Sequence, residues 1–147
     1  MTDILAKETI RLNAEVQTRT DAIKAAGQLL VDAGRVEQAY VDGMLAREQT
    51  MSTYVGNGVA IPHGTFGDLK LVKQSGISFL QIPNGVEWMD GEKAYIVLGI
   101  ASQGEDHIGI LQNLAEVVED EDRAKLLAET DDPEVVLSYL NKAVTED

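Results

Sequence analysis

The octapeptide AYIVLGIA, residues 94–101, carries no charge. It is far too short to cross a bilayer, which takes roughly 20 apolar residues, and shorter than most buried helices. Its β-branched and aromatic side chains suit a strand buried on both faces. Such a strand needs a covering layer on each side. The rest of the chain supplies them. Thr20 or Asp21 is expected to cap a helix ending at Ala33, with Ile23, Ala26, Leu30 and Ala33 on one face and Gly34 as the stop. A second helix is predicted from Glu37 to about Glu48, with Tyr40, Met44 and Leu45 as its apolar face and Arg47 in its last turn. In the C-terminal third, Ile108, Leu111, Ala115 and Val118 recur at helical spacing. Asp120 or Asp122 is expected to cap a short helix holding Ala124 and Leu127. Asp132 and Pro133 form a cap and first position for a last helix through Leu140. Further strands are predicted at Thr9–Leu12, Val59–Ile61 and Gly76–Ile82. Pro-Asn-Gly then signals a hairpin turn, with Val86–Trp88 returning. Helices on both sides of a strand-rich middle imply a three-layer α/β/α arrangement.

The remaining bounds follow quickly. At 147 residues the chain is expected to form one domain, residues 1–147, with a core of its own. It has no cysteine, which excludes disulfides, thiolate metal sites and a cysteine nucleophile. The N-terminal MTDILAKETIRLN has no apolar core of signal-peptide length, so a cytoplasmic protein without membrane insertion is expected. Twelve basic against 25 acidic residues leave a net charge of −13. That field repels nucleic acid, and no basic run offsets it.

The stretch YVGNGVAIPHGT, residues 54–65, holds the first of two histidines. Pro62 biases Ile61 toward extended geometry, and Gly64 lets the chain turn at once. A strand over Val59–Ile61 therefore ends by presenting His63 beyond the sheet, where α/β sheets bind ligands. A neutral imidazole near pH 7 is a competent nucleophile. Gly56-Asn57-Gly58 permits positive φ, so its N–H groups, with that of Gly58 among them, can form an anion-binding nest. Thr65 has a hydroxyl for a ring nitrogen or a phosphoryl oxygen, and Arg47 has a planar cationic fork for the same oxygens. Each feature also has a plainer reading, as exposed histidine, ordinary turn, cap and dipole partner.

The second histidine, His107, stands in GEDHIGIL near an expected helix start. Parallel pairing of the 94–101 strand with Val59–Ile61 would carry both histidines to one sheet edge. A two-histidine metal site needs a third ligand, with Asp106 or Glu48 available, but no HxH or HExxH spacing supports it.

STYVGNGVAIPHGT, SGISFLQIPNGVEW and IASQGEDHIGILQNLAEVVEDED together resemble the mannitol-type enzyme IIA component of the bacterial phosphoenolpyruvate-dependent sugar phosphotransferase system. The likeness runs from about Ile10 to Leu140. It implies an α/β/α sandwich around a small mixed β-sheet, and a phosphotransferase activity without metal or organic cofactor. It implies that His63 takes a phosphoryl group from the phosphocarrier HPr and passes it to the IIB domain of a membrane sugar permease, with mannitol as the sugar. His107 would lie beside it and hold the phosphoryl group or orient the first ring, and Arg47 would sit near the phosphate. Some relatives carry a carboxylate where Asn57 stands, positioned to pair with the second histidine, and Asn57 cannot supply that charge. The other reading is a regulatory module of the nitrogen-related branch, in which phosphorylation switches partner binding.

Overall fold

A computed structural model describes residues 5–102, 112 and 114–145. Among these residues five strands form one mixed sheet: β1 (Ile10–Arg11), β2 (Tyr54–Gly56), β3 (Val59–Ala60), β4 (Gly76–Met89) and β5 (Glu92–Ala101). Their order is β1-β4-β5-β3-β2. β4 and β5 run antiparallel, and β3 pairs parallel with β5 through Val59↔Ile96 and Ala60↔Val97. The apolar octapeptide is thus a central strand. On β5, Ile96, Leu98 and Ile100 enter the core on one face, and Val97 and Ala101 the core on the other. The first face is covered by helical residues 114–118 (α3), α4 (Glu121–Glu129) and α5 (Pro133–Thr145) through Leu114, Val118, Leu127, Val136 and Leu140. The second is covered by α1 (Arg19–Asp32) and α2 (Ala39–Thr50) through Ile23, Ala26, Leu30, Tyr40 and Met44. The fold is the three-layer α/β/α arrangement around a mixed sheet that the sequence leads one to expect.

Helix ends follow local chemistry. α1 starts two residues earlier than Thr20, because Thr18 is extended (φ −138°) and its hydroxyl accepts the Asp21 N–H at 3.1 Å. Gly34 (φ +76°) ends it. Asp120, rather than Asp122, caps α4 by accepting from the Arg123 N–H at 3.0 Å.

The expected hairpin at Pro-Asn-Gly is absent. β4 runs on to Met89, and residues 82–85 bulge against Tyr95 between the pairs Gln81↔Ile96 and Val86↔Ala94. Gly85 takes φ +73° within that bulge, and a Cβ there would lie 2.7 Å from Tyr95 Cε1. The chain reverses instead at Asp90-Gly91, a two-residue loop between the paired Met89 and Glu92. Asp-Gly is a favoured two-residue hairpin pair, whereas a bulge absorbs a Pro-Asn-Gly turn without reversing the chain.

Candidate functional site

His63 lies just past β3. The parallel register continues through a single bridge to Ile100, and the Ile100 N–H donates to the Pro62 carbonyl at 3.0 Å. The conjectured pairing of β3 with the apolar strand therefore holds. The His63 side chain is largely covered, at 9% exposure. Its Nδ1 lies 2.9 Å from the Ile61 carbonyl oxygen. A carbonyl oxygen can only accept, so Nδ1 carries a proton, and in the neutral ring the lone pair lies on Nε2. Sequence reasoning left the choice of nitrogen open, because it depends on where the backbone two residues upstream folds back.

The turn after His63 is anchored to α2. The Gly64 N–H donates to the Tyr40 hydroxyl at 2.9 Å, and that hydroxyl donates to the Ile100 carbonyl at 2.8 Å. Tyr40 is buried, and burial pushes its hydroxyl pKa up to about 12. A side chain at Gly64 would collide with this ring: its Cβ would stand 2.7 Å from Tyr40 Cε1.

Next comes Thr65. Its N–H and hydroxyl both donate to Asp68 Oδ2, each at 2.8 Å, forming a reciprocal cap for the short 3-10 helix Phe66–Leu71. Its proton is therefore committed to Asp68 rather than to a ring nitrogen. Asp68 in turn packs against Gly43 of α2, where a Cβ would overlap its carboxylate. The weak helix former in the middle of α2 is thus what lets the segment dock.

Arg47 lies in the last turn of α2, and its Nη1 donates to the Met51 carbonyl at 2.8 Å. The chain from Met51 leads within two residues to Thr53, whose carbonyl accepts the Ile61 N–H at 3.0 Å. The Arg47 fork is thereby tied to the backbone that leads from α2 into β2. Glu48, weighed as a metal ligand, turns inward. It accepts from the Thr53 N–H, the Thr53 hydroxyl and Trp88 Nε1 at 2.9, 2.5 and 2.9 Å. Among the described residues no cluster of three or more His, Asp or Glu side chains could hold a metal ion.

The Gly56-Asn57-Gly58 tripeptide is the turn of the β2–β3 hairpin, with φ of +100°, +53° and +78°. It lies at the other end of β3 from His63. The unbroken register from Val59↔Ile96 to His63↔Ile100 puts about 13 Å of extended chain between them, at 3.3 Å per residue. The Gly58 N–H donates to the Tyr54 hydroxyl at 3.0 Å. Asn57 Nδ2 donates to the Val118 and Glu119 carbonyls at 2.9 and 3.0 Å, closing the C-terminal end of α3. The expected nest at Gly58 is therefore a hairpin turn, and Asn57 is a helix cap, both away from the histidine. His107 and Asp106 lie outside the described residues.

Sequence reasoning missed Tyr40 and Asp68. The Thr-x-x-Asp spacing of residues 65–68 was a readable signal for the second, but nothing local marks Tyr40.

Residues 3–143 match the family model for the phosphoenolpyruvate-dependent sugar phosphotransferase system, EIIA 2. The chain is 44% identical over 139 residues to the mannitol-specific phosphotransferase enzyme IIA component of Geobacillus stearothermophilus, covering 95% of this chain and 96% of that one. It is 45% identical over 128 residues to a multiphosphoryl transfer protein of Haemophilus influenzae, covering 87% of this chain but spanning only 26% of that protein. Its fold superposes on enzyme IIA mannitol of Escherichia coli, solved in complex with phosphorylated IIB mannitol, with a TM-score of 0.87, 36% identity and coverage of 92% and 95% of the two chains. Matched over nearly its whole length by sequence and by fold, the chain belongs to the EIIA 2 family of the phosphoenolpyruvate-dependent sugar phosphotransferase system.

Proposed function

We propose that the chain, acting as one cytoplasmic phosphocarrier domain, accepts a phosphoryl group on His63 Nε2 from phosphorylated HPr. It then passes the group to the IIB domain of a sugar permease, with mannitol as the sugar. The observation that carries the reading is the 2.9 Å contact of His63 Nδ1 with the Ile61 carbonyl at a strand end. With the proton held on Nδ1, the Nε2 lone pair attacks phosphorus. A new P–N bond forms as the donor's P–N bond breaks, and the reverse exchange loads the acceptor. Transfer of this kind depends on positioning and on neutralising charge over the phosphoryl oxygens. Arg47 supplies the cation, and His107 is assigned to hold the group or orient the ring. Asn57 and Gly58 are assigned to the hairpin instead.

The match to mannitol-specific relatives at 44% identity favours this reading over a regulatory switch module. Reconstitution with a mannitol permease separates the two: sugar phosphate forms under the first and not under the second. The direct test is mass spectrometric mapping of phosphate after incubation with phosphoenolpyruvate, enzyme I and HPr. His63→Ala is expected to abolish the label, and undiminished labelling would sink the assignment. His107→Ala is expected to accept phosphate yet pass it on poorly.

A further inference from the structure

His63 pairs with Ile100 through a single parallel bridge, and one buried side chain bonds the backbone on both sides of it. In an uninterrupted parallel ladder the bond from the Ile100 N–H to the Pro62 carbonyl would be followed by one from the Gly64 N–H to the Ile100 carbonyl. The first rung is present at 3.0 Å. At the second, the Tyr40 hydroxyl is inserted: it accepts from the Gly64 N–H at 2.9 Å and donates to the Ile100 carbonyl at 2.8 Å. The Gly64 amide and the Ile100 carbonyl are thus joined through one side-chain oxygen, which ties the residue after His63 to β5 and to α2 at once.

This link is built in rather than incidental. Tyr40 is buried to 3% exposure, and Gly64 leaves room for its ring only because it lacks a Cβ. The same helix holds the next residues through Asp68, which caps Thr65 and packs on Gly43. His63 is thus held on three sides: by Pro62 on β5 before it, by its own Nδ1 on the Ile61 carbonyl, and by Gly64 on Tyr40 after it.

We propose that Tyr40 is a positioning residue for phosphoryl transfer: its hydroxyl, bonded to both Gly64 and Ile100, keeps the His63 backbone where Nδ1 reaches the Ile61 carbonyl and Nε2 faces the incoming phosphoryl group. The inference rests on the phosphocarrier reading of His63. Without the hydroxyl, the Gly64 N–H and the Ile100 carbonyl lose their shared partner on α2, the His63 backbone is less firmly held, and the Nδ1 contact loosens. A displacement of about 1 Å at a reacting atom is enough to cost up to 100-fold in rate.

The experiment compares the full chain with its Tyr40→Phe variant. Nitrogen-15 NMR of the imidazole reads the His63 tautomer, hydrogen exchange reads the Gly64 amide, and transfer is timed at varied phosphorylated HPr. In the variant the His63 nitrogens are expected to move from the Nδ1–H form toward a tautomer mixture. The rate constant kcat should fall about 10-fold, with KM for phosphorylated HPr within about twofold, because Tyr40 is buried beneath the surface a partner would meet. Unchanged nitrogen shifts with kcat within twofold of the parent would overturn the proposal. So would an unprotected Gly64 amide in the unsubstituted chain. Should Tyr40→Phe not fold, Gly64→Ala carries the same test, since its methyl displaces the Tyr40 ring while keeping the hydroxyl. The same changes are expected there, and parent-like readings again overturn the idea. The tautomer and exchange measurements need no phosphoryl donor. Failure of the unsubstituted chain to label at His63 would therefore strike the phosphocarrier reading and not these.

Discussion

Tyr40 joins stability to the site through a single proton. Burial raises its hydroxyl pKa from 10.0 to about 12, opposed by the Gly64 N–H it accepts and assisted by the negative charge of Asp68. The sign follows from which state holds the proton. Below pH 10 the hydroxyl is protonated in both states, and its contribution is whole. Between pH 10 and 12 the unfolded chain ionises while the folded one does not, so stability falls. Above 12 the contribution is gone. A difference of about two units corresponds to roughly 2–3 kcal/mol. Denaturant unfolding at pH 9 and pH 11.5 is expected to show a loss of that order, and Tyr40→Phe to remove most of it. Part of the slope remains in the variant, because the Tyr54 hydroxyl is also raised, first by burial. An equally steep alkaline loss in Tyr40→Phe would mean that another group carries it.

Elements in this protein are tied at their ends by side chains from distant strands. Gln81 on β4 donates to the Leu127 and Thr130 carbonyls at 3.0 and 2.7 Å, closing α4, and accepts the Asn13 N–H at 3.1 Å. Ser78 donates to the Ala26 carbonyl at 2.7 Å, drawing α1 onto the sheet. Asn57 does for α3 what Gln81 does for α4. A carboxylate could not: it has no N–H to donate and would face two carbonyl oxygens. Asn57→Asp is therefore expected to lose about 1–2 kcal/mol at pH 7, the exposure of the site limiting the cost. The deficit should shrink below about pH 4, where the new carboxyl takes up its proton. Urea unfolding at the two pH values checks this. Parent-like stability at pH 7 would show that the cap contributes nothing.

The charge of the whole molecule bears on its encounters. A net −13 spread over a chain of 147 residues attracts a partner that presents a basic face. Among the described residues no helix is long and apolar enough to cross a membrane. If association with phosphorylated HPr is steered by this field, the second-order rate of transfer should fall steeply as salt rises from 0.01 to about 0.15 M, over which the Debye length shrinks from about 30 to 8 Å. Stopped-flow transfer at both concentrations measures it. A rate indifferent to salt would place recognition in apolar contacts instead.

Most of the architecture was open to reading because it rests on periodicity, which is a property of neighbours in sequence. The apolar run at 94–101, buried on both faces from Ile96 onward, the helical spacing of Ile23, Ala26 and Leu30, and the Asp132-Pro133 start each announce their element whatever surrounds them. His63 at a strand end was legible for the same reason, since Pro62 and Gly64 act on the backbone beside them. The misreadings came where contact overrides local preference. Pro-Asn-Gly is a turn in isolation, but β4 gains a long ladder with β5 by bulging there and reversing at Asp90-Gly91. Gly-Asn-Gly permits an anion nest, but hairpin register places it at the far end of β3, and Asn57 spends its amide on α3. The tautomer of His63 and the link through Tyr40 were out of reach altogether. The first depends on how the backbone two residues upstream folds back, and the second on residues 24 and 60 positions from Tyr40 meeting its hydroxyl within 3 Å, which no local pattern encodes.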